Sequence, residues 1–248
     1  MRYLILSDLH GNWDALSAVL RRVRRKRFDA HLVLGDLVGY GAAPNQVVEA
    51  VRGLSGPVRI VRGNHDKVVA GLETGENFNS TAHAAALWTA SHLTAANRRF
   101  VRDLPAGPIA VDERVAICHG SPLDEDQYLF SALDALEIFT HFQGPQVVFF
   151  GHTHLPSRLE RGPAGLQVAL LSGESGVVRI EPGCRYLLNP GAVGQPRDRD
   201  PRAAFMIYDG DARLVRWFRI PYAIERAQER IRRAGLPKSL ADRLALGL

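Results

Sequence analysis

Tyr3-Leu4-Ile5-Leu6-Ser7-Asp8-Leu9-His10-Gly11-Asn12 decides how the rest of the chain is read. An apolar run of strand length gives way at once to a carboxylate, an imidazole, a glycine and an amide. Short continuous apolar runs suit strands buried on both faces. The pattern recurs. His31-Leu32-Val33-Leu34 runs into Gly35-Asp36, and Val58-Arg59-Ile60-Val61, then Arg62, into Gly63-Asn64-His65-Asp66. Val115-Ala116-Ile117-Cys118 runs into His119-Gly120, and Gln146-Val147-Val148-Phe149-Phe150 into Gly151-His152-Thr153-His154.

Between the first strands the apolar period lengthens. Trp13, Leu16, Val19, Leu20 and Val23 fall at helical spacing, and Asn45 is placed to cap a second helix carrying Val47, Val48, Val51 and Leu54. Strand and helix in alternation predict an α/β fold with a parallel or mostly parallel sheet. Ligands bind such sheets at the carboxyl edge of the strands, which is where the polar blocks fall. Asp8 and His10 are two residues apart, as are His152 and His154. On extended backbone each pair points to one side.

The donors are carboxylate, imidazole and amide oxygen, without thiolate. That set suits Mn, Fe, Zn, Ni or Co rather than a thiolate-dominated zinc site. Asp8, His10, Asp36, Asn64, His119, His152 and His154 are too many for one catalytic ion with an open position. They are about right for two ions sharing a carboxylate, a clamp suited to in-line displacement at phosphorus.

Composition sets the background. The chain has 248 residues, 46% apolar and 23% charged, which is ordinary globular usage and argues against disorder. Two cysteines, Cys118 and Cys184, exclude a disulfide framework and read as free thiols. No apolar run approaches the ~18 residues of a membrane helix. The N-terminal apolar stretch is too short for a secretory leader, so a cytoplasmic protein without a membrane partner is expected. The formal charge is +5, and of the 31 cations only Lys26, Lys67 and Lys238 are lysines. That balance admits nucleic acid as a partner without requiring it. Nine histidines are the more pointed number.

After His154 the pattern changes to short apolar stretches between Gly and Pro breaks. Residues 203–208 and 212–220, joined through Asp209-Gly210-Asp211, read as a β-hairpin. This part should be mostly antiparallel and form a second sheet packed on the first. Residues 223–234 read as an amphipathic helix that docks on the body or meets another copy, and oligomeric state has no signal in the sequence. No linker interrupts the chain. Residues 1–248 read as one domain: a metal-motif half over 1–155, a mostly β half over 156–222, and a C-terminal helix over 223–248.

The ordered blocks Asp8-x-His10, Gly35-Asp36, Gly63-Asn64-His65-Asp66, His119 and Gly151-His152-Thr153-His154 resemble the calcineurin-like metallophosphoesterase superfamily. The stretch Asn189-Pro190-Gly191-Ala192-Val193-Gly194-Gln195-Pro196-Arg197-Asp198 resembles its small prokaryotic phosphodiesterase branch. The resemblance implies a four-layer αββα sandwich of two mixed sheets flanked by helices. It implies two divalent ions, manganese among the candidates. Asp8, His10 and His154 would hold one, Asn64, His119 and His152 the other, and Asp36 would bridge. His65 would face the leaving group, with Asp66 holding its ring. The implied activity is hydrolysis of a small or nucleotide-like phosphodiester by a metal-activated hydroxide. A phosphomonoesterase, a dinucleoside polyphosphate hydrolase and a catalytically idle scaffold are the alternatives. The Asp-Arg-Gly block of protein phosphatases and symmetrical dinucleoside tetraphosphatases is replaced by Leu37-Val38-Gly39-Tyr40-Gly41, which removes a phosphate-gripping arginine and counts against phosphoprotein substrates.

Several residues carry two readings. Arg197 sits in a Pro-flanked loop and either grips phosphate or pairs with Asp198 or Asp200. Asn12 touches phosphate or caps a helix. His31, His83, His92 and His141 lie outside the blocks, and Trp88 suits core packing better than base stacking. Cys118 should point into the core, opposite His119. Arg21-Arg22-Val23-Arg24-Arg25-Lys26-Arg27 looks like a nucleic-acid patch, but it also ends an amphipathic helix, where cations complement the dipole.

Overall fold

The computed structural model describes residues 1–248. The chain opens with strand β1 (Arg2–Leu6), helix α1 (Trp13–Val23), β2 (Ala30–Val33), α2 (Pro44–Arg52) and β3 (Val58–Ile60). Three helices follow, α3 (Asn64–Ala70), α4 (Ser80–His92) and α5 (Ala95–Arg102). Then come β4 (Ile109–Ala110), β5 (Val115–Ile117), α6 (Ala132–His141) and β6 (Val147–Phe149). Six strands succeed one another: β7 (Ser157–Gly162), β8 (Gly165–Leu170), β9 (Ser175–Arg179), β10 (Arg185–Asn189), β11 (Ala203–Asp209) and β12 (Leu214–Ile220). Helices α7 (Ile224–Arg233) and α8 (Lys238–Asp242) and a 3₁₀ turn over Arg243–Ala245 close the chain.

These strands form two six-stranded mixed sheets, β3-β2-β1-β11-β12-β9 and β4-β5-β6-β10-β7-β8. Each combines parallel pairs from the metal-motif strands with antiparallel pairs from the later ones. The expectation that the later strands build a second sheet of their own is therefore corrected. The hairpin β11–β12 pairs antiparallel to β1, with Tyr3 opposite Tyr208 and Ile5 opposite Met206, while β10 pairs with β6. The five motif strands are split, three in one sheet and two in the other. A strand buried on both faces leaves an edge of unpaired backbone groups that a later strand must cover.

Side-chain alternation assigns the layers. Tyr3, Ile5, Leu32, Phe149, Leu188 and Met206 point into the core between the sheets. Leu4, Leu6, Val33, Phe205 and Ile207 point the other way and pack under α1 and α2 through Leu16, Val19, Val47 and Val48. On the outer face of the second sheet, Val148 and Leu187 meet Ala135, Ile138 and Phe139 of α6. The result is helix, sheet, sheet, helix, as the family resemblance implied. Fully burying one such aliphatic side chain contributes roughly 1.5–3 kcal/mol.

Two local expectations change. Helix α2 is capped by Ala43 with Pro44 in its first turn, so Asn45 lies inside it. The Asn45 side chain instead accepts from Thr94 N and donates to the His92 carbonyl, joining α2 to the α4–α5 turn. Helix α7 docks on the body, burying Ala227 and Ile231 beside Leu240 and Leu244, with Arg230 donating to Asp14 at 2.9 Å.

Candidate metal centre

The polar blocks converge where the carboxyl ends of strands from both sheets meet. Asp8 follows β1, Asp36 follows β2, Asn64 opens α3 after β3, His119 follows β5, and His152 and His154 follow β6. The shared edge expected from one parallel sheet is thus a seam between two. Backbone bonds stitch it, with Asp8 N donating to Gly35 O and Gly194 N to Asp8 O.

The spacing argument from extended backbone does not hold. Asp8, His10, Asp36, His152 and His154 all have positive φ, between 44° and 65°. Non-glycine residues seldom adopt this conformation, and such strain clusters at functional sites. The pairs converge because each loop coils as it leaves its strand, not because alternate residues share a face. Gly35, at φ +91°, shows how little room remains, since a Cβ there would lie 2.6 Å from Gly63 N and 2.9 Å from His119 Nδ1.

Asp8, His10, Asp36 and His154 are all buried, and one donor atom from each lies within 4.8 Å of the others. His154 Nε2 is 3.2 Å from Asp8 Oδ1, and His10 Nε2 is 3.4 Å from Asp36 Oδ2. His119 Nε2 is 3.5 Å from Asp36 Oδ2 and 3.2 Å from Asn64 Oδ1. The His119 and His152 rings are 4.8 Å apart. Asp36 therefore stands between the two groups.

The tautomers follow from the outer bonds. His10 Nδ1 donates to Val38 O at 3.1 Å, His119 Nδ1 to Leu34 O at 2.7 Å, and His154 Nδ1 to Gln195 O at 2.6 Å. Each of these rings then turns a bare Nε2 lone pair inward. His10 Nε2 and His154 Nε2 face each other at 3.2 Å. Two lone pairs at that distance repel unless a cation lies between them. His152 has the opposite arrangement, with Nε2 donating to Asp126 O at 3.1 Å and Nδ1 free for the interior. No lysine or arginine forms an ion pair with Asp8 or Asp36. Buried paired carboxylates of this kind fit divalent cations.

The electrostatics agree. Burial and the neighbouring Asp8 charge push Asp36 well above the usual carboxylate range. Burial opposes ionisation of Asp8 as well, and the Ser7 hydroxyl, donating to Asp8 Oδ2, works against that effect. Burial pushes His10 and His154 down, and His152 down to about 2. The rings are thus neutral, the state that binds metal.

His65 packs against Tyr40 and Phe78, with ring centroids at 4.3 and 4.5 Å, and its Nδ1 is buried without a partner. The expectation that Asp66 holds this ring is corrected. Asp66 Oδ1 accepts from Leu37 N and Val38 N, and Oδ2 from Gly63 N, so it pins the loop after β2 to the start of α3.

The Asn12 reading resolves to the cap. Its Oδ1 accepts from Ala15 N, and its Nδ2 donates to Gly194 O at 2.8 Å and to Tyr222 Oη at 3.3 Å, leaving no amide hydrogen aimed at the centre. Asp198 pairs with Arg219 and Asp200 with Arg202, so Arg197 has no carboxylate partner. Arg197 instead lines a cleft of about 370 Å³ with Asp36, Asn64 and His65, and Nη2 donates to Tyr40 Oη at 3.4 Å. Trp88 stacks on His92 at 4.0 Å and does not line this cleft. Cys118 is buried in the core. The cations of the 21–27 run are exposed at the far end of α1, an 11-residue helix that carries them about 16 Å from its start.

Sequence reasoning missed Tyr40, Phe78 and Tyr128, which line the cleft, and Asn189 and Gln195, which hold the His152–His154 turn. The Gly39-Tyr40-Gly41 run was visible, but only as a departure from a known motif. Asn189 and Gln195 lay within a quoted block that carried no assigned role.

The family model for a calcineurin-like phosphoesterase superfamily domain matches residues 1–213. An uncharacterized protein of Methanocaldococcus jannaschii is 34% identical over 251 residues, covering 98% of this chain and 97% of its own. The crystal structure of a metallophosphoesterase from Sphaerobacter thermophilus is 39% identical with a TM-score of 0.87, covering 100% of this chain and 99% of that one. A symmetrical bis(5'-nucleosyl)-tetraphosphatase of Hamiltonella defensa is 25% identical over 91% of this chain and 79% of its own.

Proposed function

Because this chain belongs to the calcineurin-like phosphoesterase superfamily, we propose that it is a dinuclear metal-dependent phosphodiesterase acting on a small, nucleotide-like diester. The observation that carries the metal requirement is the pair of facing lone pairs on His10 and His154, set against the buried carboxylates of Asp8 and Asp36, which no lysine or arginine neutralises. Asp8, His10 and His154 would hold one ion, Asn64, His119 and His152 the other, and Asp36 both. When bound, divalent ions supply Lewis acidity to phosphoryl oxygens and lower the pKa of coordinated water toward 7.

The chain's own residues do the rest. Arg197 enters the cleft with its guanidinium free of carboxylates, positioned by Tyr40 Oη, and would bind a nonbridging phosphate oxygen. His65 is pushed well down by burial and by Arg197, so its ring is neutral. An orphan N–H costs more than an orphan lone pair, so the single ring proton belongs on Nε2 rather than on the partnerless Nδ1. His65 would therefore donate a hydrogen bond from Nε2 to the leaving oxygen. Residues 1–248 would act as one unit.

The diester preference is tested with metal-free protein reconstituted with Mn²⁺ and offered bis(p-nitrophenyl) phosphate and p-nitrophenyl phosphate. A kcat/KM at least about tenfold higher for the diester is expected. A faster monoester would replace the diesterase reading with a monoesterase one, and no turnover of either would favour the idle scaffold. The likeness to a symmetrical tetraphosphatase supports a second reading, hydrolysis of dinucleoside polyphosphates. Faster turnover of diadenosine tetraphosphate than of any diester would favour it.

A further inference from the structure

Beside the cleft the protein exposes aromatic surface that the chemistry at phosphorus does not use. Tyr128 stacks on His152, with centroids 3.7 Å apart and planes within 23°. Phe130 lies parallel to Tyr128, at 5.2 Å and 9°. The three rings form a ladder from a candidate metal-binding histidine outward to solvent. Tyr128 is 42% exposed and Phe130 58%. A large aromatic pair left this open gives up the burial that normally holds such side chains in place.

Asn77 and Asn79 also line the cleft that Tyr128 lines, each an amide carrying both donor and acceptor. Both are exposed. Asn79 Oδ1 caps α4 by accepting from Ala82 N, which leaves its amide hydrogens for other partners. An aromatic ladder beside neutral amides suits a planar heterocycle, whose face stacks and whose edge both gives and takes hydrogen bonds. An apolar peptide would not use the amides, and a second phosphate would not use the rings.

We infer that Tyr128 and Phe130 form a subsite for a nucleobase on the group esterified to the scissile phosphate, with Asn77 and Asn79 facing the base edge. This rests on the phosphodiesterase reading above and names the substrate class: nucleotide diesters rather than alkyl diesters. Neither residue is catalytic. Phe130, the outermost ring, would stack on the base and Tyr128 would back it; such stacking is worth about tenfold or more per base and tolerates different bases.

The test uses Mn²⁺-loaded protein with thymidylyl-(3′→5′)-thymidine and its analogue lacking both bases, so that the ester and its leaving alkoxide stay the same. Wild type should hydrolyse the base-bearing diester with a kcat/KM about tenfold or more higher, carried in KM. Phe130 touches no candidate metal-binding residue, and Phe130→Ala should remove most of that ratio, whereas Phe130→Tyr should keep it. A readout independent of turnover is calorimetric binding of thymidine 5′-monophosphate against deoxyribose 5-phosphate. Wild type should bind the nucleotide about tenfold tighter, and Phe130→Ala should bind both alike. Equal treatment of the paired ligands by wild type, or a ratio unmoved in Phe130→Ala, overturns the subsite. Failure of the phosphodiesterase reading shows separately, as no turnover of any diester alongside the preserved base preference in binding.

Discussion

Asn189 Nδ2 donates to Gly151 O at 2.7 Å and to Thr153 Oγ1 at 3.0 Å, tying the last residue of β10 to the turn that carries His152 and His154. Its Oδ1 accepts from Gly191 N, which fixes the amide's orientation. One buried side chain thus sets the backbone on which two candidate metal-binding imidazoles depend. Asn189→Ala would leave these buried groups without partners, at a cost of about 1–3 kcal/mol. Mn²⁺ affinity should also fall by about tenfold. Thermal melts with and without Mn²⁺ measure both effects, and a variant with native affinity would separate the turn from the metal centre.

Asp36→Asn should act in opposite directions with and without metal. Burial and the Asp8 charge disfavour an ionised Asp36 in the metal-free fold. The neutral amide should therefore raise the melting temperature of metal-free protein. It should also weaken both metal positions, since Asp36 stands between His10 and His119. A ligand at a hundred times its Kd stabilises by about 2.7 kcal/mol, and the variant should forfeit most of that gain. Metal analysis should find fewer than one ion per chain. A full single equivalent would argue against a bridge.

His65→Ala should keep its metal and lose about 10²- to 10⁴-fold in kcat, the range a side chain positioned on the leaving oxygen contributes. The loss should shrink for esters with good leaving groups, because p-nitrophenolate needs little help. Metal content beside steady-state rates for an alkyl and an aryl diester checks this. Wild-type kcat on the alkyl ester would remove His65 from the reaction.

Arg197→Ala should raise KM by about 10- to 100-fold, since charge-assisted bonds are worth about 1.5–3 kcal/mol. Arg197→Lys should recover only part of this, because an ammonium cannot reproduce the two-pronged contact of a guanidinium. The Ki of inorganic phosphate as a competitive inhibitor reports the same site without a leaving group. A Ki unchanged in Arg197→Ala would place the phosphate elsewhere.

The pH dependence of stability should include His31, a buried ring in β2 with an unpartnered Nδ1. Burial lowers its pKa from 6.5, against a smaller opposing contribution from the Pro57 carbonyl. Below about pH 6.5 the unfolded chain binds a proton there that the folded chain resists, so stability falls as the solution is acidified. Above that pH the group contributes nothing. His31→Gln lacks this titration. Its melting temperature relative to wild type should be more favourable at pH 5 than at pH 8. A difference independent of pH would exclude His31 as a source of acid sensitivity.

Much of this was legible in the chain. The five apolar runs read as strands because they are short, rich in β-branched and aliphatic residues and bounded by Gly-containing breaks, and each run ends at its polar block. The reading of i and i+2 pairs failed because it assumed extended backbone, whereas Asp8, His10, His152 and His154 turn at positive φ. Asp and His tolerate that conformation better than most side chains, but propensity does not say at which positions they adopt it. The role given to Asp66 failed for a related reason. A side chain next to His65 in sequence need not face it, and Asp66 faces backbone amides instead.

The sequence by itself determined which residues are candidates for the chemistry and the order in which strands present them, because donor types and strand runs are local properties. Only the tertiary structure decided that the strands divide between two sheets, so that the centre lies on their seam. It also decided that Arg197 is free while Asp198 and Asp200 are taken, and that Tyr128 and Phe130 stand beside His152. Those outcomes depend on which groups compete for one partner in three dimensions. Arg219 reaches Asp198 from β12, a distant contact that no local pattern records, while Arg202 takes its near neighbour Asp200.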